Sequence, residues 1–222
     1  MALVEKLSSC VPTFKIGSEL FTSAGPEMVR QLRTRQLSIF LDLKFHDIPN
    51  TVKNSVAAAT RLGVQMLTVH CTGGLEMLKA AEAAAQETAK SLAQEPPLVL
   101  GVTVLTSMDT PALEQIGITS GVERQVERLA KLALEAGLRG LVCSPLELAM
   151  LRKLLPPAVQ LVTPGIRAPG DPTGDQKRTM TAREAIAAGA NWLVIGRPIY
   201  AAPDPRAAAE RILASAQQEV ES

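Results

Sequence analysis

The sequence predicts an α/β fold, a (β/α)8 barrel of the TIM type in which seven strands are evident, as one domain over residues 1–222. Three observations carry this expectation. Short apolar runs alternate strictly with helix-patterned stretches, which implies a parallel sheet with helices outside it. The runs number seven, one short of the eight strands of a closed barrel. The chain's 222 residues, 46% hydrophobic and 20% charged, are enough for one sizeable core and exclude disorder. A doubly wound open sheet is the alternative, but no Gly-x-Gly-x-x-Gly follows an early strand to support a dinucleotide fold.

The elements follow in order. Ala2 to Ser8 reads as the tail of a helix, and Phe14 to Gly17 as a short strand ended by glycine. A helix begins near Pro26, a residue suited to the first helical position, and runs to about Arg35. Ile39, Phe40, Leu41, Leu43 and Phe45 make a strand of the kind covered on both faces. After Pro49, the helical spacing of Val52, Val56, Ala59 and Leu62 ends at Gly63. Met66 to His70 is the next strand, and Gly73-Gly74 opens an alanine-rich helix to about Leu92. Pro96-Pro97 precedes the strand Leu98 to Leu105. Ser120 to Glu123 reads as a capping box before a helix that stops at Gly137. Strand Gly140 to Cys143 leads into a second capping box, Ser144 to Glu147, with its helix ending before Pro156-Pro157. Strand Gln160 to Thr163 is followed by a Gly/Pro-rich loop, Pro164 to Thr179, of the length that marks lids and binding loops. Thr181 and Glu184 cap the next helix, Trp192 to Gly196 is the last strand, and a terminal helix covers about Pro205 to Val220.

The chemistry concentrates in Ser38 to Thr51, where Asp42 and Lys44 interrupt an otherwise buried strand. With a side-chain period of two they share a face, and Asp47 follows just past the strand end. A buried charge is tolerated when it is paired, so a structural ion pair is the plain reading. Two carboxylates around one ammonium also hold Lys44 protonated, which makes it a positioned cation and proton donor.

In a barrel, residues at the C-terminal ends of the strands share one mouth, and phosphate is commonly held after the last two strands. Lys15, Asp42, Lys44, His70, Thr106, Ser107, Thr163, Arg167, Gly196 and Arg197 all fall at or just beyond strand ends. Gly196-Arg197 before a helix start, with Arg167 and Gln176 on the long loop, supply backbone N–H groups and guanidinium for a phosphate dianion. His70 reads as a hydrogen-bonded rim residue, and with only one other histidine, His46, no multi-histidine metal site is expected. A net charge of +1 gives no general attraction to nucleic acid or membrane. Three unpaired cysteines, Cys10, Cys71 and Cys143, point to a reducing cytoplasm, and no signal peptide or membrane span is visible.

Six segments carry a resemblance that covers nearly the whole chain. FKIG (Phe14 to Gly17), DLKFHDIPNT (Asp42 to Thr51), VTVLTS (Val102 to Ser107), TPGIR (Thr163 to Arg167), GDQKR (Gly174 to Arg178) and VIGRPI (Val194 to Ile199) resemble the orotidine 5′-phosphate decarboxylase family. The resemblance implies a decarboxylase without cofactor or metal, acting as a homodimer on a nucleotide. It implies a charge array of Lys15, Asp42 and Lys44 from one subunit with Asp47 from the other. It further implies that Lys15 and Thr51 meet the ribose, Thr106 or Ser107 the pyrimidine edge, and Arg167, Gln176, Gly196 and Arg197 the phosphate. Lys44 would protonate the carbon that loses carbon dioxide.

The Asp-x-Lys-x-x-Asp motif also occurs in magnesium-dependent sugar-phosphate lyases and decarboxylases, which form the alternative enzyme class. A phosphoribosyl-ligand binding protein with an incomplete barrel is the non-catalytic alternative. The family's chain opens with a strand ending in Leu-Asp, and here the resemblance begins at the helix after it. The expectation is therefore a barrel short of its first strand, with Lys15 lacking a partner.

Overall fold

The computed structural model describes residues 1–167 and 179–217. Seven strands are present among them: β1 (Thr13–Gly17), β2 (Ser38–Phe45), β3 (Met66–His70), β4 (Leu98–Val102), β5 (Gly140–Val142), β6 (Gln160–Thr163) and β7 (Trp192–Leu193). They hydrogen-bond in chain order from β1 to β7, with the registers parallel at β1–β2, β2–β3, β3–β4 and β6–β7. The fold is α/β of the TIM-barrel type with seven strands, as the alternating pattern predicts. β3 and β4 are short and almost wholly buried, as expected of parallel strands covered on both faces by crossover helices.

The contacts divide the chain into two compact units. One comprises Pro12–Thr103 and Arg128–Leu141. Its core is built from Ile16, Ile39, Leu41, Leu67, Met77, Leu78, Leu100 and Leu141, all nearly inaccessible to solvent. The helix Pro49–Arg61 lies along the helix Leu75–Ser91 in this unit, and the alanines of the latter permit close approach. The other unit comprises Met1–Val11, Val104–Glu127 and Val142–Ser222, and buries Leu113, Leu148, Leu151 and Leu161.

Several boundaries differ from the sequence expectation. The helix expected near Pro26 is preceded by another, Ser18–Ala24, and Gly25 at φ 64° separates it from Glu27–Arg33. A left-handed residue cannot continue a right-handed helix, so the chain restarts at Pro26. β4 stops at Val102, and a short helix, Thr110–Gln115, follows later in the chain, with the Asp109 carboxylate accepting from Ala112 N–H. β7 is confined to Trp192–Leu193, because the chain bends at Gly196 into the helix Arg197–Tyr200. Both later capping boxes form: Ser144 N–H donates to Glu147 Oε2 at 2.9 Å, and Thr181 N–H to Glu184 Oε2 at 2.9 Å. Among the described residues no helix is long and apolar enough to cross a membrane.

Candidate active site

The site starts from an irregularity between two strands. β2 and β3 pair in step at Leu41↔Leu67, and pairing resumes at Phe45↔Val69. Three residues of β2, Asp42 to Lys44, therefore stand opposite Thr68 alone, which makes a bulge at the strand's C-terminal end. Lys44 absorbs it with φ 52°, a left-handed conformation costly for a residue with a Cβ. Its N–H has left the ladder and donates instead to Thr68 Oγ1 at 2.8 Å. The Thr68 hydroxyl in turn donates to Asp42 Oδ1 at 3.0 Å.

Around that frame sit three charged side chains. Lys44 Nζ lies 2.8 Å from Asp42 Oδ1, and Lys15 Nζ lies 3.3 Å from Asp42 Oδ2. The Asp42 side chain is 13% exposed, whereas those of Lys44 and Lys15 are 33% and 36% exposed. The carboxylate is thus the anchored member and both ammoniums remain open to a ligand. Burial alone would raise the Asp42 pKa. The Lys44 hydrogen bond and charge, the Lys15 charge and the Thr68 hydroxyl outweigh it, so Asp42 is held ionised below the usual carboxylate range.

Two expectations are corrected here. Lys15 does not lack a partner: β1 and β2 pair with Gly17 beside Asp42, and the lysine's long stem spans the remaining distance to the carboxylate. The cluster within one chain is also the reverse of the two carboxylates around Lys44 that the spacing implied. Asp47 lies past the strand end, exposed, with Oδ1 accepting from Ile48 N–H at 2.7 Å. It forms no ion pair with Lys44 among the described residues. Two ammoniums around one carboxylate leave a net positive charge, which suits an anionic ligand.

His70 closes β3 but makes no side-chain hydrogen bond among the described residues, contrary to the sequence reading. Its ring lies 5.5 Å from that of His46, tilted by 46°. Burial, then His46, then the Lys44 charge lower its pKa against the opposing pull of Asp42, so the imidazole is neutral at pH 7. Thr51 stands exposed in the first turn of the helix Pro49–Arg61. Thr68 was missed, because a threonine within MLTVH reads only as a strand former.

The other unit holds the remaining residues singled out. Thr106 and Ser107 lie in the turn after β4, where Met108 N–H donates to Leu105 O. Arg167 N–H donates to Met180 O at 2.9 Å, beside the bridge between Ile166 and Met180, and its guanidinium donates to Ile166 O at 2.7 Å. Gly196 precedes the helix Arg197–Tyr200, whose first residue, Arg197, is exposed. Gln176 and most of the loop expected to bind ligand lie outside the described residues.

Comparison with known proteins finds relatives that match almost the full length of the chain. The chain is 53% identical over 213 residues to orotidine 5′-phosphate decarboxylase of Moorella thermoacetica, covering 96% of this chain and 84% of that protein. It is 53% identical over 212 residues to the protein of that name from Opitutus terrae, covering 96% of this chain and 90% of that one. The crystal structure of orotidine 5′-phosphate decarboxylase from Lactobacillus acidophilus superposes with a TM-score of 0.85 at 36% identity, covering 98% of this chain and 94% of that one. With the sequence model for "Orotidine 5'-phosphate decarboxylase / HUMPS family" matching residues 1–212, this chain belongs to that family.

Proposed function

We propose that this chain catalyses the cofactor-independent decarboxylation of orotidine 5′-phosphate to uridine 5′-phosphate, a step of de novo pyrimidine biosynthesis in the cytoplasm. The observation that carries the reading is the pair of open ammoniums, Lys15 and Lys44, hydrogen-bonded or ion-paired to one ionised, partly buried carboxylate. Breaking the bond between the pyrimidine ring and its carboxylate releases carbon dioxide and leaves the electron pair on the ring carbon. That pair lies in the ring plane, where the π system cannot delocalise it. A fixed ammonium is what stabilises localised charge without a cofactor, and preorganised electrostatics is commonly the largest catalytic contribution. Lys44 then gives a proton to that carbon, forming the new C–H bond, and is reprotonated from solvent.

Asp42 holds the ammonium in place and stands beside the departing carboxylate. Lys15 and Thr51 take the ribose hydroxyls, Thr106 or Ser107 the pyrimidine edge, and Arg167, Gln176, Gly196 and Arg197 the phosphate. Residues 1–222 act as one barrel domain that pairs into a homodimer, in which Asp47 of each subunit completes the site of the other. The exposure of Asp47 beside Ile48, an apolar side chain 67% exposed at the same turn, supports that arrangement.

The test is to follow the ultraviolet change on mixing the protein with orotidine 5′-phosphate, with uridine 5′-phosphate identified chromatographically and a chelator present throughout. Turnover that persists in the chelator is the expected result. No uridylate, or uridylate only when magnesium is restored, refutes the proposal. Sedimentation at micromolar concentration is expected to give twice the mass of the chain.

A further inference from the structure

We infer that Thr68 is a positioning residue for Lys44, holding the lysine's backbone and its carboxylate partner through one hydroxyl. This inference rests on the reading of Lys44 as the proton donor. A hydroxyl carries a single proton, so its two hydrogen bonds cannot be interchanged freely. An ionised Asp42 can only accept, which commits the Thr68 proton to Asp42 Oδ1 at 3.0 Å. The Thr68 oxygen is then left to accept from the Lys44 N–H at 2.8 Å. Lys44 Nζ returns to the same Asp42 Oδ1 at 2.8 Å, so the bonds form a closed ring running through the backbone and the side chain of Lys44.

Each end of that ring needs support. Lys44 sits at φ 52°, which persists only where the surroundings over-determine it. The bulge has removed its N–H from the β2–β3 ladder, and a buried N–H without an acceptor is costly. Thr68 supplies that acceptor from the one residue of β3 facing the bulge, and it is fully buried. Its β-branched side chain also has few rotamers, so the oxygen is held in place. A displacement of about 1 Å in a reacting group can cost on the order of 100-fold in rate, so the precision of this ring is a catalytic matter.

The experiment compares wild type with Thr68→Val, which keeps the shape and removes the hydroxyl, and Thr68→Ser, which keeps the hydroxyl. For Thr68→Val, kcat is expected to fall roughly 10- to 100-fold while KM changes by less than about threefold. Thr68→Ser is expected to recover kcat to within about fivefold of wild type. Thr68→Val with wild-type kcat overturns the inference, and so does Thr68→Ser as slow as Thr68→Val. Should the valine variant fail to fold, a crystal structure of the wild type decides: a right-handed Lys44, or a Thr68 hydroxyl out of reach of either partner, overturns it. A wild type that does not decarboxylate orotidine 5′-phosphate refutes the functional reading, and the crystal structure then tests the hydrogen-bonded ring on its own.

Discussion

Replacing Lys44 by alanine and, separately, by glycine distinguishes what its charge does from what its backbone endures. Both substitutions remove the ammonium from its position 2.8 Å from Asp42 and should abolish measurable decarboxylation. Loss of one preorganised donor alone costs roughly 100- to 1000-fold, and here the proton source goes with it. Binding of uridine 5′-phosphate should survive, because the missing charge matters mainly in the transition state. Stability separates the two variants. At φ 52° an alanine carries about 1–2 kcal/mol of left-handed strain that glycine does not. Glycine gives back about 0.5–1 kcal/mol through the extra freedom of its unfolded chain. Taking the midpoints of these ranges, the glycine variant should therefore be the more stable by about 0.75 kcal/mol, or roughly 1.5–3 °C in Tm for a domain of this size. Differential scanning calorimetry of the two variants measures that gap, with Gln36→Gly, at an exposed residue with φ 60°, as a control expected to shift in the same direction. An alanine variant as stable as the glycine one means that Lys44 is not left-handed. Near-normal turnover in either refutes its assigned role.

Arg197→Ala should weaken binding of the phosphorylated substrate about 10- to 100-fold, the range for loss of a charge-assisted hydrogen bond. Equal turnover of orotidine and its 5′-phosphate by the wild type contradicts the phosphate assignment. Because the folded His70 has a lowered pKa, the unfolded chain binds more protons as pH falls through the ordinary histidine range near ~6.5. Stability should accordingly decline on acidification from about pH 7, and His70→Gln should flatten that slope in melts taken across the range; an unchanged slope shows that His70 does not cause it. Gly101→Ala would place a Cβ 2.6 Å from Cys71 Sγ and 3.1 Å from Leu141 Cδ2 in the core. Such overpacking should lower stability by about 1–3 kcal/mol, and an unaltered Tm shows that the core yields there.

The sequence by itself determined the number of strands and, to within about a residue, where each begins. Apolar runs such as MLTVH at Met66–His70 and LVLGV at Leu98–Val102 are local signals, bounded by glycine and proline, and the strands start where those signals begin. Asp42 and Lys44 were legible as a candidate site because two charges inside a buried run need a reason, and DLKFHDIPNT tied them to a family. Helix Ser18–Ala24 escaped notice because its apolar positions are few and none is buried, leaving no amphipathic stripe to read.

Tertiary structure alone decided how the charges meet. A period of two put Asp42 and Lys44 on one face, yet their contact is made through a bulge and a left-handed lysine. Nothing local marks Lys44 for that conformation, since lysine has no preference for positive φ. It arises from the register shift between β2 and β3, which brings Thr68, 24 residues away, to the Lys44 N–H. The pairing of Lys15 with Asp42 depends likewise on the β1–β2 register. Register is a property of two strands together, selected by the packing of both, so a single stretch of sequence carries the charges but not the distances between them.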